Sequence, residues 1–381
     1  MSQKFFQIVP TSPNFSFARY APIFFACSGV FLAVCFYSLF TKGLNYGVDF
    51  KGGSEIYARF EGQTTAKDIR EALEPIGYSD ASVQSFGDRP GEFLIRVAPE
   101  DLKLTNYETN IRTALQGLGG DSKELQLRFS EERVYAVLPQ ATGKQQVQDR
   151  LKGIDDAYAQ IESVTPFGRA SDKEFVIQFS GVSSRIVKAL EKHFGVAKME
   201  VLQIEEVGEK VGSELRTQAL GAVLISIILI LIYIWFRFDF EFAPGAIIAL
   251  VHDAVVILGV FSIMRLQFDL STVAAVLTVV GFSINDTIVT YDRVRENIRK
   301  TRNMLFGDIV NLSINETLSR TILTSLTLLF ATVVLFLYGG PITKNFALAL
   351  TLGVVFGTYS TIFIASPLTI YVRKYLMARQ S

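Results

Sequence analysis

Four ionisable side chains stand inside stretches that are otherwise apolar. His252 and Asp253 lie in "VHDAVVILGV", Asp286 in "GFSINDTIVTYDRVREN", and Arg320 in "NETLSRTILTSLTLL". A carboxylate in hydrocarbon costs roughly 2.5 to 3.5 kcal/mol at mid-helix, so each acid needs a partner or a task. An ionised Asp286 attracts Arg320; protonation removes the attraction and frees the helices to move. One charge carried across a membrane gains about 2.3 kcal/mol per 100 mV, which biases a conformational equilibrium by tens-fold per ion. That calls for a repeated cycle. The coupling ion is then a proton, with sodium an open substitute, and no other cofactor is expected.

Depth supports the pairing. Asp286 lies some seventeen residues into its apolar window and Arg320 near the start of the next, which runs the other way. Glu316, Arg320, Thr324 and Thr327 are spaced 4, 4 and 3, and so share one helical face. Hydroxyls on that face bond across to a neighbouring helix or to water, and the stripe argues that Arg320 points inward; a lipid-facing arginine would snorkel instead. Asn285, beside Asp286, and His252 are supporting polar groups. His252 and Asp253 sit roughly nine residues into their window, about 13 Å at 1.5 Å per residue. They read either as a functional ionisable pair or as an interhelical hydrogen bond that only fixes packing.

The elements that must position these groups are apolar windows of about 20 residues, each long enough to span a bilayer. They fall at 21–40, 217–236, 243–264, 269–291, 320–338 and 346–370, in a chain of 381 residues that is 49% hydrophobic. Six transmembrane helices follow. The first window is too long for a signal peptide and lacks a cleavage pattern; it reads as a retained anchor with Pro22 in its first turn. Gly353 and Gly357 in the last window are spaced for close helix contact, within this chain or with a partner. Cys27 and Cys35, the two cysteines, are eight apart on the first helix and read as packing residues on one face.

Orientation follows from Lys and Arg in short loops. Lys4, Arg19, Arg237, the 292–319 loop and the C-terminus (Arg373, Lys374, Arg379) carry the cations; the opposite short loops hold only Arg265 and Lys344. The reading is a multi-pass protein of the inner, cytoplasmic membrane. Residues 1–20, the 292–319 loop and the C-terminus are cytoplasmic, 217–381 is a five-helix membrane domain, and 41–216 lies outside, in the periplasm. The 37 basic and 37 acidic side chains balance and give no reason to expect nucleic acid.

The outer segment reads as mixed α+β. "SEIYARF", "TTAKDIREALEPIG", "ASVQSFG" and "EFLIRVA" give strand, helix, strand, strand. The order recurs in "ERVYAVL", "TGKQQVQDRLKGIDDAYAQ", "IESVTPFG" and "EFVIQFS", with Tyr57 and Tyr135 offset by 78. A further helix, "VSSRIVKALEKHFG", and strand, "MEVLQIEEVG", are expected to close the second copy. The prediction is two ferredoxin-like lobes, 45–120 and 124–210. They serve as a rigid spacer or as a sheet edge that holds an extended peptide. No H-E-x-x-H, Walker loop or paired cysteines for a metal occur, and His193 reads as a solvated side chain, so the chain is not expected to be an enzyme. "GVDFKGG", with Gly47, Asp49, Gly52 and Gly53, permits unusual backbone angles and reads equally as a hinge or as a tight turn into the first strand.

Taken together, "NFSFARYAPIFF", "YGVDFKGGSEI", the "HD" of the third helix, "GFSINDTIVTYDRVREN" and "NETLSRTILTS" resemble the SecF family. That family supplies the smaller partners in the SecD–SecF complexes of bacterial protein export. The resemblance implies a fold of the resistance-nodulation-division superfamily and a twelve-helix bundle formed with a SecD-like subunit. It also implies use of the proton motive force to promote late translocation of unfolded exported polypeptides from the SecYEG translocon, with YajC a further candidate partner. In the family, residues at the positions of Asp286 and Arg320 belong to the proton path and work with an Asp of SecD; Asp253 also matches the pattern. The outer segment, about 175 residues, exceeds the single smaller lobe usual there. Two other readings stay open: a small-molecule or lipid exporter half of the same superfamily, and a purely structural translocon subunit in which Asp286 pairs with another chain. An intramembrane aspartyl protease is disfavoured, because "SIND" lacks the Gly-x-Gly-Asp pattern of that class.

Overall fold

The computed structural model describes residues 14–85, 90–97, 107–116, 118, 125–130, 133–138, 141–152, 161–167, 173–179, 181–301 and 303–380. In chain order the elements begin with α1 (Phe17–Thr41), β1 (Asn45–Tyr46), α2 (Val48–Lys51), β2 (Gly53–Phe60), α3 (Ala66–Leu73), β3 (Ser82–Ser85) and β4 (Glu92–Val97). Then come α4 (Tyr107–Gln116), β5 (Gln126–Ser130), β6 (Arg133–Val137), α5 (Lys144–Lys152), β7 (Ile161–Pro166) and β8 (Glu174–Phe179). They are followed by α6 (Val182–Phe194), β9 (Met199–Val207), α7 (Glu209–Arg237), α8 (Ala243–Ile263), β10 (Gln267–Phe268) and α9 (Leu270–Lys300). The last are α10 (Phe306–Tyr338), α11 (Pro341–Ser360) and α12 (Ser366–Gln380), with a π-helical turn, Thr361–Ala365, joining the final pair. The chain divides into a membrane unit, 1–47 with 215–381, and an outer unit, 48–214.

Six helical spans in the membrane unit are long and apolar enough to cross a bilayer. The helices outrun the apolar windows at several ends. The segment 292–319, expected as a loop, is helical over 292–300 and 306–319. The reason is that charged residues there satisfy one another along and between helices. Lys300 pairs with Glu296 at 2.5 Å, and Arg293 reaches Glu296 at 2.6 Å and Glu316 of α10 at 2.7 Å. Hydropathy marks where lipid ends, not where the helix does. Similarly α1 begins at Phe17, so Pro22 lies in its second turn rather than its first.

The helices meet where side chains are small. A Cβ on Gly353 of α11 would run into the Val279 side chain of α9, and one on Gly357 would stand 3.2 Å from the Ser283 Cβ. The glycine pair therefore serves a contact within this chain. Gly259 of α8 similarly admits Cys35. Cys27, by contrast, is exposed: eight residues at about 100° each leave it roughly 80° around the helix from Cys35, so the two do not share a face. Phe17, Phe238, Phe242, Tyr291 and Ile314 are among the residues that fill one apolar cluster of the bundle.

The outer unit holds two four-stranded antiparallel sheets, of order β3-β4-β2-β9 and β5-β6-β8-β7. The first is a complete ferredoxin-like β-α-β-β-α-β unit, but its closing pair is α6 and β9. Ile186 and Leu190 of α6 pack in the same core as Ile56, Ile69, Phe93 and Ile95. This corrects the contiguous lobes 45–120 and 124–210: the helix and strand expected to close the second copy close the first. β9 lies along β2, Ile56 opposite Ile204 and Arg59 opposite Glu200, and Arg59 bonds both Glu92 and Glu200. In the second sheet β5 takes the corresponding place beside β6, and Ile111 and Leu115 of α4 enter its core. That lobe is a circular permutation of the same pattern, inserted between β4 and α6. The part of its helix expected over 153–160 lies outside the described residues.

Within α3, Thr65 forms a capping box with Asp68, each side chain bonding the other's backbone N–H. Those bonds, from the Thr65 backbone N–H first and its hydroxyl second, hold the Asp68 carboxyl below the usual carboxylate range.

Candidate functional site: a carboxylate and hydroxyl network in the helix bundle

Asp286 is buried on α9, and its Oδ1 accepts a hydrogen bond from Thr321 Oγ1 of α10 at 2.8 Å. Its Oδ2 is buried and, among the described residues, has no hydrogen-bond partner. Arg320 lies close enough to act on Asp286 electrostatically, but the two form no direct ion pair and the Arg320 side chain is exposed. The expected inward Arg320 is thus replaced by its neighbour. Consecutive residues on a helix point about 100° apart, so one of the two must turn away when the other faces α9. The shorter hydroxyl takes the buried position.

The rest of the stripe behaves accordingly. Thr324 is exposed, and its hydroxyl bonds the carbonyls of Arg320 and Thr321, each at 3.0 Å, on its own helix rather than across to another. Thr327 does the same to Thr324 at 2.8 Å. Glu316 does cross to α9, accepting from Arg293 at 2.7 Å and Asn297 at 2.6 Å. Asn285 is exposed on α9, beside Asp286 in sequence but outside the buried set.

Asp253 is wholly buried on α8 and fully engaged. His252 Nδ1 lies 2.9 Å from Oδ1, while Ser283 of α9 and Ser360 of α11 donate to Oδ2 at 2.5 and 2.8 Å. Three helices are therefore tied through one carboxylate. Ser283 and Asp286 are three residues apart, so the two acids bracket one turn of α9. From there hydroxyls continue toward the π-helical turn. Thr287 meets Thr361 at 2.9 Å, Ser366 donates to the Thr361 carbonyl at 2.9 Å, and Tyr291 donates to the Ala365 carbonyl at 3.0 Å. A π turn widens the helix and leaves carbonyls without their regular partners, and such turns gather at functional sites. Tyr291 supplies a side-chain donor to the Ala365 carbonyl, and the Ser366 hydroxyl joins its own backbone N–H on the Thr361 carbonyl. Gly245 makes room: a Cβ there would meet the Ala365 carbonyl oxygen at 2.6 Å.

The sequence marks the acids and Arg320. It gives no comparable signal for Thr321, Ser283, Ser360, Thr287, Thr361 and Tyr291, since hydroxyls are frequent in apolar helices. Only the three-residue step from Ser283 to Asp286 hints at a shared turn. Among the described residues no three His, Cys, Asp or Glu side chains converge to hold a metal ion.

The glycine-rich segment after α1 is apart from this network. Gly47 donates to the Phe268 carbonyl at 2.9 Å, at the end of a short parallel pairing of β1 with β10. A Cβ on Gly47 would lie 2.7 Å from the Gln267 side chain. Asp49 belongs to α2, a single helical turn, and Gly52 and Gly53 follow at φ 76° and 111° before β2 starts. A Cβ on Gly212 would stand 2.8 Å from the Gly52 nitrogen. The segment is thus a tight turn into the first strand, crowded on one side.

Six spans, a ferredoxin-like outer sheet and buried carboxylates bridged by hydroxyls define a polytopic membrane protein with titratable groups inside its bundle. Residues 186–375 match the family model described as protein export membrane protein SecD/SecF, C-terminal, and residues 37–64 match the SecD/SecF GG motif. The protein translocase subunit SecF of Vibrio alginolyticus is 35% identical over 96% of this chain and 92% of its own length. That of Calditerrivibrio nitroreducens is 34% identical over 99% of both. The crystal structure of SecDF, a translocon-associated membrane protein from Thermus thermophilus, aligns with a TM-score of 0.61 at 30% identity, over 96% of this chain and 39% of that one. The chain belongs to the SecF family, and spans about two-fifths of the SecDF chain to which its fold is similar.

Proposed function

We propose that this chain is an accessory subunit of Sec protein translocation, one half of a membrane motor in which a SecD-like chain supplies the other half. The carrying observation is the contrast between two outward helix faces. On α7 the exposed residues are large and apolar, among them Leu224, Ile228, Leu229 and Phe236. Between Ser271 and Asn285 of α9 they are Ser271, Ala274, Thr278, Gly281 and Asn285, and a Cβ on Gly281 would touch nothing. Without a hydrophobic drive between helices in lipid, small and polar residues are what lets a second helix approach closely. Arg320 and Thr324 are exposed on the adjoining α10. A partner helix seated there covers Arg320 and brings its own acid toward Asp286.

In this reading the coupling ion is a proton, taken up and released by Asp286, with Asp253, His252 and the hydroxyls of Ser283, Ser360 and Thr321 holding the surrounding helices in register. Protonation changes the attraction between Asp286 and Arg320 and hence the packing of α9 on α10. The gradient supplies the work, and the outer unit acts on unfolded chains leaving the SecYEG channel. The nine-residue strand β9, at the edge of the first sheet, supports peptide capture by strand addition. No catalytic step enters this role.

The test is export into inverted membrane vesicles carrying Asp286→Asn. The variant is expected to insert, to copurify with its SecD-like partner, and to lose the stimulation produced by an imposed gradient. Full stimulation would overturn the proton-path role. Loss of copurification instead would favour a structural subunit, and normal precursor export with raised drug accumulation would favour an exporter half.

A further inference from the structure

Where α7 ends, a pocket of about 430 Å³ is lined by Arg237, Asp292, Arg295, Glu296, Arg299 and Lys300. The five residues from α9 recur at i, i+3, i+4, i+7 and i+8, so one face of its last two turns looks onto the end of α7. Four cations and two carboxylates line the hollow. Arg237 is held by Asp292 through both carboxylate oxygens, at 2.8 and 2.6 Å. Arg295 lies 3.6 Å from Asp239, and Lys300 pairs with Glu296. Arg299 is exposed and, among the described residues, has no ion-pair or hydrogen-bond partner. A surplus of positive charge therefore surrounds the space.

Solvation alone accounts for scattered cations beside a membrane, but not for four that converge on one cavity. The pocket's depth identifies the ligand. Trp235 and Phe236, immediately before Arg237, are 66% and 83% exposed, and Phe240 just after it is 61% exposed. Aromatic residues gather at the level of the lipid headgroups, so the cavity opens at that level. Above it, the exposed Leu229, Ile232 and Phe236 of α7 offer an apolar wall for acyl chains. We propose that this pocket binds the headgroup phosphate of an anionic phospholipid, with its chains laid along α7. Arg299 is the free donor to the phosphate, and Arg237, fixed by Asp292, is the preset one. The site is independent of the export role, because it needs only that α7 and α9 span the membrane.

The experiment is native mass spectrometry of the full chain in detergent, titrated with phosphatidylglycerol, phosphatidylcholine or inorganic phosphate. Phosphatidylglycerol is expected to be retained well above phosphatidylcholine. A basic residue near an anionic surface is worth about five-fold in binding, so Arg299→Gln is expected to weaken retention roughly five-fold and Arg299→Lys to restore most of it. Glu296→Gln, which removes a carboxylate and frees Lys300, is expected to tighten it by a similar factor. Arg299→Gln breaks no internal bond, and an unchanged gel-filtration profile confirms that it folds. Equal retention of the two lipids, or no response to either substitution, would overturn the proposal. Displacement of phosphatidylglycerol by millimolar inorganic phosphate would also overturn it, assigning the pocket to a free phosphate instead.

Discussion

The carboxylate of Asp286 receives one hydroxyl and has a second oxygen, buried, with none. That incomplete solvation separates it from Asp253, whose two oxygens are met by His252, Ser283 and Ser360. Asp253 is built to stay put, while Asp286 has an open acceptor for a proton or a partner's donor. Thr321→Val keeps the side-chain shape and removes the single donor. It is expected to cost about 1–3 kcal/mol, the penalty for leaving a buried acceptor unmade, read as a lowered unfolding midpoint in detergent, and to weaken gradient-stimulated export. An unchanged midpoint would show that the bond to Thr321 is not holding α9 to α10. Both acids were legible in the sequence because a charge in an apolar run has few structural excuses. Arg320 was legible as a residue but not in its direction, since a helical stripe tells which residues share a face and not what that face meets. Thr321 was hidden because a hydroxyl in a membrane helix is satisfied by its own backbone as readily as by a neighbour.

At the scale of elements, close approach decides the bundle. Gly353 is the point where α11 lies against Val279 of α9. Gly353→Ala is expected to destabilise by about 1–3 kcal/mol, as overpacking does, and Val279→Ala in the same chain is expected to recover most of that. Thermal unfolding of the two single variants and the pair measures it, and simple additivity would refute the contact. In the outer unit the cap of α3 gives a pH dependence. The folded carboxyl of Asp68 titrates below its unfolded value. Its contribution is therefore complete above the unfolded pKa, near 4, and fades as pH falls through the lowered folded one. Protection of the first α3 amides against hydrogen exchange is expected to decline over that acid window, and not in Asp68→Asn. The two strand-helix-strand-strand runs were readable from alternation and from the 78-residue offset. Their closing pairs were not. α6 and β9 follow the second run in sequence and suit either sheet by pattern; the pairing of β9 along β2 and the packing of Ile186 and Leu190 with Ile56 and Phe93 decide between them. The extensions of α9 and α10 past the apolar windows were missed for a different cause: charge pairs such as Arg293–Glu316 carry a helix beyond the lipid, where hydropathy says nothing.

For the molecule as a whole, the order of the strands means that the larger outer unit is an insertion rather than a tandem repeat. Among the described residues, every element of the first sheet comes from 53–97 and 182–207, and its core takes no side chain from the second lobe. The second lobe likewise completes its own core with α4, α5 and its own four strands. Two cores that share no residue unfold as separate units unless their surfaces are tied together. Replacing residues 98–180 by a flexible linker is therefore expected to leave the membrane unit inserted and the first sheet intact. A linker of about 15 Gly and Ser residues, which covers roughly 20 Å on average, makes the single connection from Val97 to Gly181. The measurement is hydrogen-exchange protection along β2, whose Ser54–Arg59 segment is flanked by β4 on one side and β9 on the other. Retained protection of both the Ile56 and the Tyr57 amide, which point to opposite sides of the strand, follows only if β9 belongs to the first sheet. If β9 closed the second lobe, β2 would pair with β4 alone, and one of those two amides would exchange freely.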